Sequence, residues 1–220
     1  DNNLIVILVE SMEWFPLTKY PKYSKTLYPN ITKLIEEGLI ANNFYQKEKT
    51  DVSEALAVLG NYPTGKYINY DFYENQYPFS LPNLLKHDDE KMVINSFHAN
   101  YGNFYNRYKL HNSWGFEQLY AIKDMTEYGV IDEWQHKKGE RNLDSITFNA
   151  MKEKMFPKDK RFFSYILSFT MHGFYGERNN LKEYYEVLDN LNLDYGNKEN
   201  MNEYMRTYMA AMMDFDKAIG

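Results

Sequence analysis

Apolar runs along the chain predict the strands of a sheet. Residues 4–9 form a continuous apolar run with β-branched members, and residues 162–170 form a second run with Ser and Thr interspersed. Such runs are typical of strands in a parallel sheet that is covered on both faces. Further strands are predicted over residues 91–97 and 40–45. We expect residues 4–9 to form a central strand.

Helices are predicted where apolar residues recur at every third or fourth position. This spacing occurs over residues 29–38, 50–60 and 201–219 and begins again at Leu81, whereas residues 121–142 are polar and weakly periodic. Because strands alternate with helices, the pattern predicts an α/β fold. We expect a mainly parallel central sheet with helices on both faces.

Composition limits the class of protein. With 220 residues, of which 44% are hydrophobic, the chain can build one α/β core, so we expect a single domain over residues 1–220. A net charge of −6 argues against a nucleic-acid partner. The absence of cysteine excludes disulfides, thiol catalysis and thiolate metal ligands. No signal peptide or apolar stretch of about 18 residues is present.

A hydroxyl and a carboxylate stand where metal-assisted transfer chemistry would use them. Thr50 opens a predicted helix, and Glu10 follows the first predicted strand, near the strand ends where α/β sheets bind ligands. A threonine hydroxyl needs an activator, and a divalent ion is the expected one because no obvious base lies beside it. Two structural alternatives stay open: an N-cap role for Thr50, and a helix N-terminal carboxylate at Glu10.

Two histidines follow later predicted strands. His98 begins a loop that also contains Asn100, Tyr105 and Arg107, and His172 follows the strand at 162–170. Arg107 offers bidentate contacts to phosphate oxygens, and His98 offers a hydrogen bond or a proton for a leaving group. A purely structural role for His98 stays open. The histidines interpreted as solvated surface are His87, His111 and His136.

Five segments carry a family resemblance. They read NLIVILVESM at 3–12, YPNITKLIEEGLIANNFY at 28–45, KTDVSEAL at 49–56, FHANYGNFYNR at 97–107 and SFTMHGF at 168–174. In this order they resemble the lipoteichoic acid synthase family of the sulfatase and alkaline phosphatase-like superfamily. The resemblance implies a phosphoglycerol transferase whose catalytic domain lies at the extracellular face of the cell membrane, tethered by segments absent from this chain.

Matched position by position, the resemblance also implies roles for individual residues. Glu10 and Thr50 would bind a divalent ion, Mn²⁺ or Mg²⁺. Thr50 would take up glycerol phosphate from the phosphatidylglycerol head group and pass it to a polyglycerol-phosphate acceptor. The residues that would line the head-group pocket are His98, Asn100, Tyr105, Arg107 and His172. Asn100 and Tyr105 stand where the family usually has aspartate and tryptophan, so we expect the substrate contacts to differ there.

The family completes its metal site with an adjacent Asp-His pair, which does not occur in these 220 residues. Asp214 and Asp216, on the helix predicted over 201–219, are poor substitutes. Because Mg²⁺ and Mn²⁺ favour octahedral, oxygen-rich coordination, we expect the ion to bind weakly and the chain by itself to turn over little substrate. The chain is therefore interpreted as the N-terminal part of a sulfatase-like catalytic ectodomain.

Two other functions stay open. A sulfatase or phosphodiesterase of the same superfamily is one, although sulfatases of the usual kind have Cys or Ser, Pro and Arg where this chain has Thr50, Val52 and Glu54. A non-catalytic binding module with a decayed site is the other, which the missing ligands would permit.

Overall fold

The computed structural model of the protein describes residues 2–41, 44, 49–61, 72–131, 141–191, 193 and 199–220. The chain divides into two compact units. The first, called the sheet unit, comprises Asp1–Leu8, Asn43–Glu133 and Ala150–Ser168. The second, called the helical unit, comprises Val9–Asn42, Trp134–Asn149 and Phe169–Gly220. Each unit is therefore assembled from segments that lie far apart in the sequence.

Four parallel strands of the described residues build the sheet unit. They are β1 Leu4–Leu8, β2 Val93–His98, β3 Gln118–Ala121 and β4 Phe162–Leu167, and they are hydrogen-bonded in the order β1-β4-β2-β3. In this register Leu167 lies level with both Leu8 and His98. The last residues of three neighbouring strands therefore share one edge of the sheet. The predicted α/β class with a parallel sheet is confirmed.

The predicted central position of the first strand is not confirmed by the strands that the structure describes. Among the described strands β1 pairs with β4 alone, and Ile5 is 46% exposed. The centre of the sheet is formed by β4, whose six residues are all buried, and by β2. An apolar run indicates a parallel strand, but its neighbours in the sheet are distant segments that the run does not encode.

The strand predicted over residues 40–45 is also not confirmed. Residues 40, 41 and 44 are not in a strand, and the other three lie outside the described residues. The short strand β3, in contrast, was not predicted, because four residues are too few for a pattern to stand out.

The α-helices of the described residues are α1 Phe15–Lys19, α2 Pro21–Leu27, α3 Pro29–Glu37, α4 Thr50–Leu59, α5 Leu81–Asp88, α6 Arg107–Ser113, α7 Ile122–Met125, α8 Asp144–Met155, α9 Lys182–Asp189 and α10 Glu199–Ile219. Short 3₁₀ turns cover Phe104–Asn106, Thr126–Tyr128 and Asn179–Leu181. The four predicted helices correspond to α3, α4, α5 and α10. None of these described helices is long and apolar enough to cross a membrane.

The end of α4 shows how local sequence fixes a helix boundary. Gly60 adopts a left-handed conformation with φ of 68°, and its N–H donates to the Leu56 carbonyl at 3.1 Å. Glycine takes up this conformation at little cost because it has no Cβ. The helix that begins with Thr50 therefore stops after ten residues.

Aromatic packing joins α6 to the sheet. Trp114, directly after α6, is fully buried, and the ring of Phe116 lies 5.7 Å from that of Phe163 and 5.8 Å from that of Tyr165 on β4. Buried aromatic pairs of this kind contribute beyond their buried area. The residues of this core are Ala55, Val58, Met92, Ile94, Leu110, Trp114, Phe116, Phe163, Tyr165 and Leu167.

The helical unit is held together by α10. Asp216 is 3% exposed and accepts hydrogen bonds from the first-turn amides of α3, with the Ile31 N–H at 2.7 Å from Oδ1. Tyr208 donates from its hydroxyl to the Ser11 carbonyl and accepts from the Glu13 N–H, both at 2.7 Å. The final helix therefore binds segments close to the start of the chain.

Candidate active site

Thr50 is the first residue of α4, and it is half-buried. The N-cap is Lys49, whose backbone is extended with φ of −128° and ψ of 148°. The alternative of an N-cap role for Thr50 is therefore wrong, because the cap residue precedes the first helical residue. Thr50 lies at the positive end of the helix dipole, where negative charge is stabilised.

One turn further along α4, Glu54 enters a buried ion pair with Arg107 on α6. Arg107 donates to Oε1 from Nη2 at 2.6 Å and from Nε at 3.0 Å. The two side chains are only 3% and 2% exposed. Two charges at this depth are stable only with good geometry and further hydrogen bonds. The pair therefore joins the helix of Thr50 to the loop that begins at His98.

His111 supplies a further contact to the Glu54 carboxylate. Its Nε2 lies 3.0 Å from Glu54 Oε2, and its Nδ1 lies 2.8 Å from the Ser96 hydroxyl on β2. The interpretation of His111 as solvated surface is wrong, since the side chain is fully buried. Burial alone would raise the pKa of Glu54, but Arg107 and His111 outweigh it and lower that pKa to about 2. Glu54 is therefore ionised at neutral pH.

Arg107 is committed to Glu54 through two of its three nitrogens. Nε and Nη2 both face the carboxylate, so the predicted bidentate contact of Arg107 with phosphate oxygens would have to compete with Glu54. Nη1 is buried and has no hydrogen-bond partner among the described residues. Arg107 thus has one unsatisfied nitrogen for an anion.

The loop before Arg107 has a strained backbone. Tyr105 and Asn106 adopt left-handed conformations with φ of 56° and 49°, which cost of order 1 kcal/mol each. The Tyr105 ring lies 5.1 Å from the Arg107 guanidinium, within the range of a cation–π contact. Gly102 is required nearby, because a Cβ there would lie 2.2 Å from the Tyr108 ring. Strain of this kind clusters at functional sites.

His98 is the last residue of β2 and is 4% exposed. Burial lowers its pKa to about 3, and the charge of Arg107 acts in the same direction. The ring is therefore neutral at physiological pH, with Nδ1 donating to the Leu167 carbonyl at 3.3 Å. A neutral ring favours the hydrogen-bonding role over the proton-donating one, and both roles of His98 stay predictions.

Asn100 follows His98 in a tight turn. Its side-chain Oδ1 accepts from the Tyr101 N–H at 2.8 Å, and its backbone carbonyl accepts from the Ile122 N–H at 3.0 Å. The side chain is half-buried. The amide thus shapes the loop, and its role in the head-group pocket stays a prediction.

In the helical unit, Glu10 lies in the turn after β1. Ser11 beside it has φ of 51° and donates from its hydroxyl to Glu10 Oε1 at 3.1 Å. The alternative that places Glu10 at a helix N-terminus is wrong, because α1 begins only at Phe15. Tyr208 holds this turn from α10. The Glu10 carboxylate is therefore presented by a second strained segment.

His172 is exposed and lies in a segment that an arginine binds. Arg141 Nη1 donates to the backbone carbonyls of His172 and Gly173. Burial raises the pKa of Tyr175, and among the charged groups that influence it are Glu10 and Arg141. The Tyr208 ring lies 5.3 Å from that of Tyr175, and its hydroxyl donates to the Ser11 carbonyl, so the turn that carries Glu10 lies close to the segment after His172. The sequence pattern gave no signal for Arg141, which is an isolated arginine before a helix.

Asp144 and Asp214 anchor the same segment. Asp144 opens α8, is 1% exposed, and accepts from the N–H groups of Phe169 at 2.8 Å and Thr170 at 3.0 Å. Asp214 on α10 accepts from the Thr170 hydroxyl at 2.6 Å. Asp214 and Asp216 therefore serve packing within the unit. Burial raises the pKa of Asp144 to about 7, and the charge of Asp214 acts in the same direction.

This raised pKa makes stability depend on pH. The Asp144 carboxyl has an ordinary pKa of 3.8 and a folded pKa of about 7, so the folded state binds more protons between these values. We expect the free energy of unfolding to fall as pH rises through this window, with a contribution on the order of 4 kcal/mol at most. Urea unfolding at about pH 5 and about pH 8 measures the slope.

The Asp144→Asn variant should have a flatter pH slope than the unmodified protein. Asp189→Asn is the matched control, because Asp189 is an exposed carboxylate. Hydrogen bonds from Arg206 lower the pKa of Asp189, so this group does not titrate between about pH 5 and about pH 8. Equal slopes for Asp144→Asn and the unmodified protein would contradict the assignment.

The predicted site residues fall in both units. The sheet unit holds Thr50, His98, Asn100, Tyr105 and Arg107, and the helical unit holds Glu10 and His172. The structure brings Arg107 to the helix of Thr50, and Glu10 to the His172 segment. A divalent ion shared by Glu10 and Thr50 stays a prediction.

The donors of Glu10 and Thr50 suit a hard divalent ion. Carboxylate and hydroxyl oxygens are the ligands that Mg²⁺ and Mn²⁺ prefer. In the part of the chain that the structure describes, no group of three or more His, Asp or Glu side chains is placed to hold a metal. The chemistry of these two side chains therefore suits such an ion, and their joint role as ligands stays a prediction.

A parallel sheet with polar residues after its strands is shared by proteins of many functions, so the family is shown by the match of the sequence. Residues 2–220 match the Sulfatase family, and the chain belongs to that family. The predicted resemblance to lipoteichoic acid synthases is confirmed by the similar proteins.

A curated relative is the lipoteichoic acid synthase-like YvgJ of Bacillus subtilis, which is 25% identical over 175 residues, or 77% of this chain and 27% of the relative. The lipoteichoic acid synthase LtaP of Listeria monocytogenes has a similar structure, with a TM-score of 0.72 at 21% identity over 99% of this chain. The phosphoglycerol transferase GacH of Streptococcus pyogenes, solved with sn-glycerol-1-phosphate, has a TM-score of 0.61 at 16% identity over 99% of this chain.

These structures share the fold of the chain. The chain spans 27% of the curated relative's length, 50% of the LtaP chain and 55% of the GacH chain.

Proposed function

We propose that the protein is a metal-dependent phosphoglycerol transferase of the extracellular face of the cell membrane. It moves glycerol phosphate from phosphatidylglycerol, through an intermediate on Thr50, to a lipoteichoic-acid-type polymer. The observation that carries this proposal is the position of Thr50 as the first residue of α4, one helical turn from the buried pair of Glu54 and Arg107. The similarity to the lipoteichoic acid synthase LtaP and to the phosphoglycerol transferase GacH supports this class of reaction.

In the first step, the Thr50 oxygen forms a bond to phosphorus. The bond from phosphorus to the diacylglycerol oxygen breaks, and that oxygen leaves as an alcohol, with a proton that replaces the one given up by the Thr50 hydroxyl. In the second step, a hydroxyl of the acceptor polymer forms a bond to the same phosphorus. The bond to Thr50 breaks, and the threonine hydroxyl is restored.

The chain's own residues contribute binding and charge. The start of α4 stabilises negative charge at the phosphoryl group, and Arg107 Nη1 supplies one buried positive donor. The neutral His98 and the exposed His172 would contact the head group by hydrogen bonds. A divalent ion held in part by Glu10 and Thr50 would act as a Lewis acid and help to form the nucleophile.

Mass spectrometry of the full-length protein, quenched during turnover of phosphatidylglycerol, tests the intermediate. We expect one added glycerol phosphate on the peptide that contains Thr50, because a covalent relay must accumulate when its second step is slow. Withholding the polymer acceptor should increase the modified fraction. Turnover with the modification on another residue, or with none, would contradict the proposal.

A further inference from the structure

Glu54 and Thr50 lie on one face of α4. They are four residues apart, which places them one above the other along a helix. Glu54 is 1% exposed, although it is a carboxylate. Charged groups are almost never buried this deeply unless they are paired, so the position of Glu54 is fixed by its partners.

Both partners lie on α6 in the sheet unit. Arg107 on α6 donates to the carboxylate through Nη2 and Nε, and His111 on the same helix contacts it through Nε2 at 3.0 Å. His111 in turn contacts Ser96 on the central strand β2 at 2.8 Å. A chain of buried polar contacts therefore runs from the sheet to the face of α4 that carries Thr50.

The same carboxylate orients Arg107. Since Nε and Nη2 are both directed at Glu54, the plane of the guanidinium is fixed and only Nη1 points elsewhere. Nη1 is buried and has no hydrogen-bond partner within the described ranges of the chain. An orphaned charged donor at this depth is costly, and a phosphoryl oxygen would satisfy it.

We infer that Glu54 is a positioning residue of the transfer reaction, which sets the nucleophile helix and the Arg107 donor relative to each other. This inference rests on the proposed function, because it takes Thr50 as the nucleophile. It adds a carboxylate that touches neither substrate nor metal and acts through Arg107 and through the backbone of α4.

Steady-state kinetics of Glu54→Gln in the full-length protein test this role with phosphatidylglycerol as donor. The amide keeps the size of the side chain, and its oxygen can accept from the Nε2–H of His111, but it removes the charge that holds Arg107. We expect kcat per active site to fall about tenfold to a hundredfold, because small misplacements of reacting groups are costly. KM should change by a smaller factor than kcat, because the Arg107 donor is needed most in the transition state, where charge builds on the phosphoryl oxygens.

Active sites are counted by the glycerol phosphate bound to protein after prolonged incubation with phosphatidylglycerol and no polymer acceptor, so loss of folded protein does not imitate slow chemistry. Glu117→Gln is the matched control, because Glu117 is an exposed carboxylate that pairs with Lys86 at 2.5 Å in the same unit. Its kcat should stay within about twofold. A Glu54→Gln rate per active site equal to that of Glu117→Gln would overturn the inference.

His111→Gln provides a second variant that leaves the pair of Glu54 and Arg107 in place. It should lower kcat per active site by a smaller factor than Glu54→Gln. If Glu54→Gln does not fold, an unchanged kcat of His111→Gln would overturn the inference. Failure of the proposed function has a different result, namely no adduct on Thr50 in the unmodified protein.

Discussion

Replacing Thr50 by alanine is expected to lower the rate of glycerol phosphate transfer by about a thousandfold or more, because the variant lacks the oxygen that attacks phosphorus. The fold should remain, since Thr50 is the first residue of its helix and Lys49 occupies the cap. Release of diacylglycerol from phosphatidylglycerol by the full-length protein measures the rate. Unfolding in urea should change by less than about 1 kcal/mol.

Ser53→Ala is the matched control for Thr50→Ala. Ser53 lies in the first turn of the same helix and is half-buried, so its replacement removes an equivalent hydroxyl without removing the nucleophile. We expect its rate to stay within about threefold of the unmodified protein. Turnover by Thr50→Ala that matches Ser53→Ala would refute the assignment of the nucleophile.

Replacing Arg107 by methionine is expected to reduce the free energy of unfolding by about 3–5 kcal/mol, because it leaves the buried Glu54 carboxylate without its main countercharge. Arg161→Met is the matched control. Arg161 pairs with Asp89 at 3.1 Å, but the two side chains are 30% and 25% exposed, so the loss should be below about 1 kcal/mol. Urea unfolding at neutral pH measures both.

A double variant separates the lost pair from the stranded charge. Arg107→Met combined with Glu54→Leu should be more stable than Arg107→Met alone, because it also removes the uncompensated carboxylate. Equal decreases in the free energy of unfolding for Arg107→Met and Arg161→Met would show that the buried pair stabilises the protein no more than the partly exposed one.

The elements that sequence predicts well are those whose signals are local. Helix α3 begins at Pro29 and is followed by Gly38, and α4 is followed by Gly60, so each boundary is written within a few residues. The place of β1 in the sheet depends instead on pairing with β4, more than 150 residues away in the register Leu4 to Phe163. No local pattern contains that partner, so the sequence alone does not place β1 in the sheet.

The same distinction applies to the candidate site. Thr50 and Glu10 were selected as candidates because a hydroxyl opens a predicted helix and a carboxylate follows a predicted strand. Glu54 was not, because its partner Arg107 lies 53 residues away, and a single carboxylate in a helix is usually on the surface.

One missed signal was nonetheless present in the sequence. On α6, Arg107, Leu110 and His111 are spaced as one helical face and Trp114 continues it, and all four are buried. This spacing indicates a buried face even when two of its members are charged or titratable. The prediction placed His111 on the surface because it considered the neighbouring residues in sequence rather than those one turn away.

The bond between Asp216 and the first turn of α3 joins residues 185 positions apart. A ribosome releases the chain from the N-terminus, so α3 emerges long before the aspartate that caps it. Until Asp216 has been synthesised, water must satisfy the first-turn amides of α3. The helical unit therefore reaches its folded form only after α10 has left the exit tunnel. Contacts between residues so far apart in sequence slow folding. Until they form, the early helices expose surface that a chaperone can bind.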